Sequence, residues 1–253
     1  MRDRAGFRLK VAFLGATRGI GRSLSRLMAA RGDDVFLLGR DVDDLERSAR
    51  DLEARAGRGS VGAAHCDLEK PGGFASALDA AEARLGSLDA VVVTAGDFAL
   101  QPDLEQDVER TRRLLEVDFT NTVVFCEHAR RRLLARGGGT LAVFSSVAGE
   151  RGRKPVILYG AAKAGLSRYL EGLDHKFRAH GLRTVCVKPG FVKTSMTEGL
   201  RPPPFAGEPD SVARVVLRAI DRGQPVVYAP PVWRWIMLVI RLLPRSVMRR
   251  VQF

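Results

Sequence analysis

Seven short apolar segments alternate with longer amphipathic segments along this chain, and this alternation restricts the fold more than any other feature. Several of the short segments are uninterrupted apolar blocks, which is typical of strands covered on both faces of a parallel sheet. Strand–helix alternation of this kind predicts an α/β doubly wound sheet with helices on both faces. The predicted strands are Lys10–Leu14, Val35–Leu38, Val61–Cys66, Ala90–Thr94, Thr140–Phe144, Thr184–Val187 and Val226–Tyr228. The predicted helices are Ile20–Ala30, Val42–Ala56, Gly73–Leu85, Leu104–Ala135, Leu158–Ala179 and Ser211–Arg222.

Length and composition set the organisation of the chain. Its 253 residues suit one domain over residues 1–230, with a Pro-rich lid at about 190–208 and a tail over 231–253. A net charge of +12 is compatible with nucleic acid, an anionic membrane, an anionic ligand or merely solvated helix faces. Three scattered cysteines, no CxxC pair and no signal-peptide pattern lead us to expect a cytoplasmic protein without disulfides or a metal site.

A glycine-rich turn follows the first strand and opens the first helix. Glycines at 15, 19 and 21 allow a sharp turn, and the helix N-terminus offers free N–H groups to a pyrophosphate. This strand–turn–helix unit predicts a Rossmann fold with a dinucleotide bound by residues Gly15, Thr17, Arg18, Gly19, Ile20 and Gly21.

The end of the second strand bears on the choice of dinucleotide. Gly39 offers no carboxylate for the adenosine ribose, whereas Arg40 and Arg18 offer guanidinium groups that suit a 2′-phosphate. Asp41 is interpreted as the cap of the next helix. We therefore expect NADP(H) to be preferred over NAD(H).

Tyr159 and Lys163 are four residues apart, so on a helix they share one face. An ammonium group beside a phenol favours the phenolate, which predicts a lowered pKa for Tyr159 and a role as general acid for a carbonyl oxygen. Ser145 and Ser146 end the preceding strand, where a hydroxyl group could hold the same oxygen.

Together these motifs resemble the classical short-chain dehydrogenase/reductase family over about residues 10–228. The resemblance implies hydride transfer between a nicotinamide and a ketone, and a homodimer or homotetramer. Ser146 would orient the carbonyl, Tyr159 would supply the proton, and Lys163 would bind the nicotinamide ribose. The further cofactor residues implied are Asp67, Leu68, Thr94, Ala95, Gly96, Pro189, Gly190, Val192 and Thr194.

Three positions depart from the family pattern. Leu14 stands where many members have threonine, and Thr94 replaces the usual asparagine of the Asn-Ala-Gly segment. Asp118 replaces the asparagine that anchors a proton-relay water in the family. It can accept a hydrogen bond from such a water but cannot donate one, and Asn121 is the candidate to compensate.

Two basic segments bear on the substrate. Arg151, Arg153 and Lys154 lie between Ser146 and Tyr159, where they would either grip a phosphate or form a solvated loop. The tail from residue 232 to 250 is apolar with interspersed arginines and too short to span a bilayer. It would lie at a membrane surface, pack against a second subunit or cover the pocket.

The loop and tail resemble the family branch that contains the decaprenylphosphoryl-2-keto-erythro-pentose reductases, through Gly149-Glu150-Arg151-Gly152-Arg153 and the Arg-x-x-Met and Arg-x-x-Pro patterns after residue 233. This resemblance implies a polyprenyl-phosphate-linked keto-sugar as substrate, at the inner face of the cytoplasmic membrane. Two alternatives stay open: a soluble enzyme for hydrophobic alcohols or ketones, and a catalytically silent cofactor sensor or nucleic-acid binder. No nucleic-acid module is recognisable, so nucleic acid is not expected as a partner.

Overall fold

A computed structural model describes residues 8–57 and 59–251 of the chain. Its seven strands form one parallel sheet in the order β3-β2-β1-β4-β5-β6-β7, which confirms the predicted doubly wound fold. Each predicted strand is present within two residues of its predicted ends. The strands are β1 (Lys10–Leu14), β2 (Asp34–Gly39), β3 (Val61–His65), β4 (Ala90–Val93), β5 (Gly139–Phe144), β6 (Leu182–Pro189) and β7 (Val226–Ala229).

Helices cover both faces of this sheet. They are α1 (Gly19–Arg31), α2 (Val42–Glu53), α3 (Phe74–Leu85), α4 (Gln101–Gln106), α5 (Val108–Leu115), α6 (Asn121–Ala135), α7 (Ile157–Phe177), α8 (Pro209–Arg222), α9 (Trp233–Leu242) and α10 (Arg245–Met248). Alternate residues of β1 point to opposite faces, so Val11 and Phe13 pack with α1, α2 and α8, while Ala12 and Leu14 pack with α3, α6 and α7. The strand order reverses between β1 and β4, and open sheets of this class bind ligands at that crevice.

The predicted continuous helix Leu104–Ala135 is wrong, because the segment is divided. The Asp107 side chain accepts a hydrogen bond from the backbone N–H of Arg110 at 2.9 Å, so a new helix begins at Val108. A π-helical turn over Glu116–Thr120 then separates α5 from α6. The wider turn holds Asp118, which is fully buried.

The lid and the tail pack against each other. Residues 190–208 are irregular apart from a short 3₁₀ turn at Ser195–Thr197 and a bridge between Val192 and Gly207. Helix α9 buries Trp233, Met237 and Ile240 in a small apolar cluster that also contains residues of the lid and of β7. Within residues 8–57 and 59–251, no helix is long and apolar enough to cross a bilayer. The predicted domain start at residue 1 and tail end at residue 253 lie outside the described residues.

Candidate active site

A cavity of about 910 Å³ opens at the carboxyl ends of the strands, where the sheet order reverses. The structure brings most of the predicted site residues together in its wall. These are Gly15, Thr17, Arg18, Gly19, Ile20, Gly21, Arg40, Asp67, Leu68, Thr94, Ala95, Gly96, Ser146, Arg153, Tyr159, Lys163, Pro189, Gly190, Val192 and Thr194. Among the described residues, the predicted site residues outside this wall are Asp118, Arg151 and Lys154.

The glycine-rich turn is compact because backbone passes close to backbone. Gly15 has φ +92°, and a Cβ atom there would lie 2.4 Å from the backbone nitrogen of Ala95. A Cβ atom on Gly21 would lie 2.2 Å from the carbonyl oxygen of Gly15. Only glycine fits these two positions, so the tight approach between the end of β1 and the end of β4 is built into the sequence.

Thr94 ties the same two strand ends together. Its hydroxyl donates a hydrogen bond to the carbonyl oxygen of Gly15 at 2.8 Å. The threonine that replaces the family's asparagine therefore still connects the glycine-rich turn to β4.

The start of α1 fits the phosphates of a dinucleotide. In the part of the chain that the structure describes, no side chain caps this helix, and its first turn holds no acidic residue. Uncapped N–H groups and the positive end of the helix dipole thus border the cavity at Gly19 and Ile20.

The adenosine end of the cavity contains two guanidinium groups, each paired with a carboxylate. Arg18 donates to Asp44 at 3.0 Å through Nε, and Arg40 lies 3.5 Å from Glu69. Both arginines are about two-thirds exposed, at 67% and 70%, so these pairs contribute little stability. The Asp41 carboxylate accepts from the Asp44 N–H at 2.9 Å, which confirms it as the cap of α2.

Tyr159 is the third residue of α7, with its phenol ring edge-on to Phe98 at 5.3 Å between ring centroids. Ser146 follows β5 and lines the same cavity, and its Oγ accepts from the backbone N–H of Ala148 at 3.0 Å. Lys163 Nζ lies 5.5 Å from the centroid of the Tyr159 ring. The three residues therefore form one cluster at the cavity wall.

Asp118 forms a buried ion pair with Lys163. Its Oδ1 lies 3.3 Å from Lys163 Nζ and also accepts from the backbone N–H of Asp97 at 2.8 Å. Its Oδ2 is buried with no hydrogen-bond partner among the described residues. Burial opposes the charge on Lys163, but the interactions with Asp118, Tyr159 and Asp97 together outweigh it, and the pKa of Lys163 is raised.

Lys163 lowers the pKa of Tyr159 as predicted, but the predicted net lowering of that pKa is wrong for this cavity. Burial raises the pKa of Tyr159, and the Asp118 carboxylate raises it further, while Lys163 and Ser146 only partly oppose this. Tyr159 is therefore held as a neutral phenol, the form that donates a proton.

Asn121 was the candidate to compensate for Asp118, and Ser145 was a candidate to hold the carbonyl oxygen, but both side chains hydrogen-bond to the backbone instead. Asn121 Nδ2 donates to the carbonyl oxygen of Leu68 at 2.7 Å, so its amide is used to hold the segment after β3. Ser145 Oγ donates to the carbonyl oxygen of Lys163 at 2.8 Å and fixes α7 against β5. Asn121 thus does not take the place of the missing amide at position 118.

The three basic residues of the loop between Ser146 and Tyr159 have different surroundings. Arg151 donates to the carbonyl oxygen of Leu243 at 2.9 Å and so holds the tail. Lys154 is exposed. Arg153 lines the cavity, and its Nε is buried without a hydrogen-bond partner among the described residues.

Trp233, a residue of the tail that was expected to cover the pocket, pack against a second subunit or lie at a membrane surface, lines the cavity. Its indole N–H donates to the carbonyl oxygen of Phe205 at 3.2 Å, which joins α9 to the lid. A Cβ atom on Gly190 would lie 2.1 Å from the indole nitrogen, so the ring covers this glycine. One face of α9 therefore contributes to the cavity wall, in line with the expectation that the tail covers the pocket.

Comparison with known proteins agrees with this geometry. The family model for short chain dehydrogenases matches residues 10–204. An uncharacterized oxidoreductase of Mycobacterium tuberculosis is 34% identical over 241 residues, which cover 95% of this chain and 96% of the relative. The cis-4-hydroxycyclohexanecarboxylate dehydrogenase of Sinomonas cyclohexanicum is 34% identical over 189 residues, 74% of each chain. A short-chain type dehydrogenase/reductase from Mycobacterium ulcerans superposes with a TM-score of 0.78 at 25% identity, over 86% of each chain.

A parallel sheet with a dinucleotide crevice and a Ser–Tyr–Lys cluster at its wall defines an NAD(P)-dependent oxidoreductase. The chain belongs to the short-chain dehydrogenase/reductase family, whose enzymes act on CH–OH groups with NAD(P).

Proposed function

We propose that this chain is an NADPH-dependent ketoreductase in which Tyr159 is the proton donor. The observation that carries the proposal is the position of the Tyr159 phenol in the cavity wall with Ser146, where Lys163 Nζ lies 5.5 Å from the centroid of the phenol ring. A phenol with a raised pKa keeps its proton at neutral pH and can release it to an oxygen that gains negative charge.

In the proposed reduction of a ketone, Ser146, Tyr159 and Lys163 have separate roles. A bound nicotinamide cofactor would supply the hydride that adds to the carbonyl carbon. Ser146 donates a hydrogen bond to the carbonyl oxygen and holds it beside Tyr159. The Tyr159 hydroxyl then gives its proton to that oxygen, so the ketone becomes a secondary alcohol. The Lys163 ammonium lies next to the phenolate that remains and stabilises its charge.

Tyr159→Phe tests the proton donor, with Tyr169→Phe as the matched control. Tyr169 is on the same helix, but its hydroxyl donates to Glu127 at 2.7 Å, outside the cavity wall. We expect Tyr159→Phe to lower kcat for ketone reduction by roughly 10²–10⁴-fold while NADPH still binds, measured by fluorescence titration. Unchanged turnover in Tyr159→Phe would contradict the assigned role.

Preference for NADPH is supported by the two guanidinium groups at the adenosine end. Arg18 and Arg40 are held only by exposed ion pairs, so both can turn to a 2′-phosphate at small cost. Gly39 ends β2 without a carboxylate that would favour the free 2′-hydroxyl of NADH.

For the substrate, we propose a polyprenyl-phosphate-linked keto-sugar. Arg153 offers a cation to a phosphate in the cavity, and α9, whose Trp233 lines the cavity, offers an apolar surface on its exposed side. The Sinomonas relative is named for a compound that carries both a ring alcohol and a carboxylate, which supports a substrate with an anionic group. A hydrophobic alcohol or ketone without a phosphate is the second candidate, favoured by the apolar residues Leu200, Pro203 and Trp233 in the wall.

Such a substrate would bring the protein to the inner face of the cytoplasmic membrane. The outer side of α9 exposes four apolar residues at helical spacing, and arginines flank them. An apolar stripe beside cations matches an anionic lipid surface, with the helix lying in the interface. The stripe consists of Trp235, Leu238, Val239 and Leu242.

Two measurements test the lipid-linked substrate. A lipid extract incubated with the enzyme and NADPH is expected to show a species heavier by two hydrogens in mass spectrometry. In flotation with phosphatidylglycerol vesicles, the variant Trp235→Ser/Val239→Ser is expected to lose binding, while Val108→Ser, at an exposed apolar residue of α5, keeps it. Equal flotation of both variants would refute membrane contact through the stripe, and a change of oligomeric state in the double variant would identify a second copy as its partner.

A further inference from the structure

The wall of the cavity contains a cation that lacks a counter-charge. Four cationic side chains of the described residues line the cavity, and three of them are paired: Arg18 with Asp44, Arg40 with Glu69, and Lys163 with Asp118. The fourth, Arg153, has no ion pair or hydrogen bond with any residue in the described part of the chain, and its Nε is buried.

A half-buried guanidinium whose Nε lacks a hydrogen-bond partner is unfavourable, and arginine does not lose its proton to relieve this. Burial lowers the pKa of Arg153, as expected for a cation that no carboxylate compensates. Among the described residues no carboxylate forms an ion pair with Arg153, and the three acids that pair with cations of the cavity wall, Asp44, Glu69 and Asp118, pair with Arg18, Arg40 and Lys163.

The backbone holds Arg153 at the substrate end of the cavity. Arg153 is extended, with φ −137° and ψ 143°, and precedes Pro155 by two residues in the loop that leads into α7. It shares the wall with Tyr159 and with the apolar residues Val156 and Trp233. Apolar neighbours reduce the screening by water, so an anion placed there interacts with Arg153 more strongly than at the surface.

We propose that Arg153 binds an anionic group, a carboxylate or a phosphate, on the same molecule that presents its ketone to Tyr159. Its planar guanidinium suits both groups, because each offers two oxygens to parallel N–H donors. Arg153 is then the residue that selects anionic substrates over neutral ones. The inference rests on the proposed ketoreductase function, but it makes a separate prediction about charge.

The test compares pairs of ketones in which one member carries an anionic group and the other is neutral, so that the effect of charge can be measured apart from reactivity. The carboxylate arm compares 4-oxocyclohexanecarboxylate with its methyl ester, and the phosphate arm compares dihydroxyacetone phosphate with dihydroxyacetone. We expect the wild-type protein to prefer the anionic member of at least one pair. Arg153→Gln is expected to lower kcat/KM for that member by about 30-fold or more and to leave the neutral member unchanged. The arm that responds identifies the anion.

Two further variants control for loss of structure and for surface charge. Arg153→Lys keeps the charge but lacks the fork of donors, so an intermediate loss is expected. Lys154→Gln removes an adjacent exposed cation outside the cavity wall and is expected to behave as wild type. Equal losses in Arg153→Gln and Lys154→Gln would overturn the proposal, because general surface charge would then explain them.

Calorimetry distinguishes failure of this inference from failure of the ketoreductase function. Cyclohexanecarboxylate and cyclohexyl phosphate are titrated into wild type and Arg153→Gln, with cyclohexanecarboxamide as the neutral control. If wild type binds either anion and Arg153→Gln does not, the result would support the anion site even if no ketone were reduced. Reduction of ketones with the same charge preference in both proteins would leave the function intact and overturn the anion site. Absence of Arg153-dependent binding of both anions would overturn it as well.

Discussion

The two ends of the cavity are built in different ways. The cofactor end is made of consecutive residues after β1, β2 and β4, where glycines permit close backbone contact and the cations are paired with carboxylates. The substrate end gathers side chains from the loop before α7, the lid and α9, and it includes the unpaired Arg153. The difference indicates that the first end is fixed by the fold itself, whereas the second depends on long-range contacts that can change without altering the sheet.

The largest expected effect is at the cofactor end, where backbone contacts leave no room for a side chain. Gly15→Ala places a Cβ atom against Ala95 at a residue with φ +92°, so we expect the free energy of unfolding to fall by about 3 kcal/mol. Gly152→Ala, in the loop at the substrate end, meets no atom within 4 Å and is expected to stay within about 0.5 kcal/mol of wild type. Urea unfolding measures both, and a comparable loss in both variants would remove the contrast between the two ends.

The tail provides the next test, because α9 carries two tryptophans on opposite sides. Trp233 is buried against Gly190 and the lid, while Trp235 is 64% exposed. We expect Trp233→Ala to cost roughly 2–4 kcal/mol and to raise KM for the ketone, since the lid loses its hydrogen bond to the indole. Trp235→Ala is expected to change stability by less than about 0.5 kcal/mol. Similar unfolding midpoints for the two variants would show that α9 does not close the cavity.

A smaller effect is expected from the paired cations at the adenosine end. Arg40→Ala removes a candidate partner of the 2′-phosphate, so NADPH should bind roughly 10-fold more weakly while NADH binding is unchanged. Arg50 pairs with Glu46 on the exposed side of α2, and Arg50→Ala should alter neither cofactor. Fluorescence titration with both cofactors makes the comparison, and equal weakening of NADH binding would argue against 2′-phosphate recognition.

The smallest expected change is a shift in pH dependence caused by Asp118. Alcohol oxidation needs the Tyr159 phenolate, so its rate rises with pH through the pKa of Tyr159, which the Asp118 carboxylate raises. Asp118→Asn removes that charge, leaves the Lys163 ammonium unopposed and should move the oxidation profile to lower pH. The control, Asp174→Asn near the end of α7, should leave the profile in place. A profile that is unchanged or moves upward in Asp118→Asn would contradict the coupling.

The sequence was informative where structure depends on local pattern. Apolar blocks and glycine spacing predicted all seven strands and the turn before α1, because buried parallel strands and backbone contacts require those residue types in order. The long helix after residue 104 was mispredicted, since an apolar period does not reveal that Asp107 caps a new helix or that a π turn carries Asp118 inward.

The sequence pattern did not predict which side chains make contacts between distant segments of the chain. Arg151 and Arg153 are two residues apart and look equivalent in the sequence, yet one holds Leu243 and the other lines the cavity. The rise in the pKa of Tyr159 was also missed, because i,i+4 spacing to Lys163 says nothing about burial or about a carboxylate that arrives from another helix.

The contact between Gly190 and the Trp233 indole links two positions that are 43 residues apart. A side chain at 190 and an indole at 233 exclude each other in this arrangement, so neither position is free to vary alone. An evolutionary route that introduces a larger residue at 190 must first shrink residue 233 or displace its helix. We therefore expect positions 190 and 233 to vary together when related sequences are aligned.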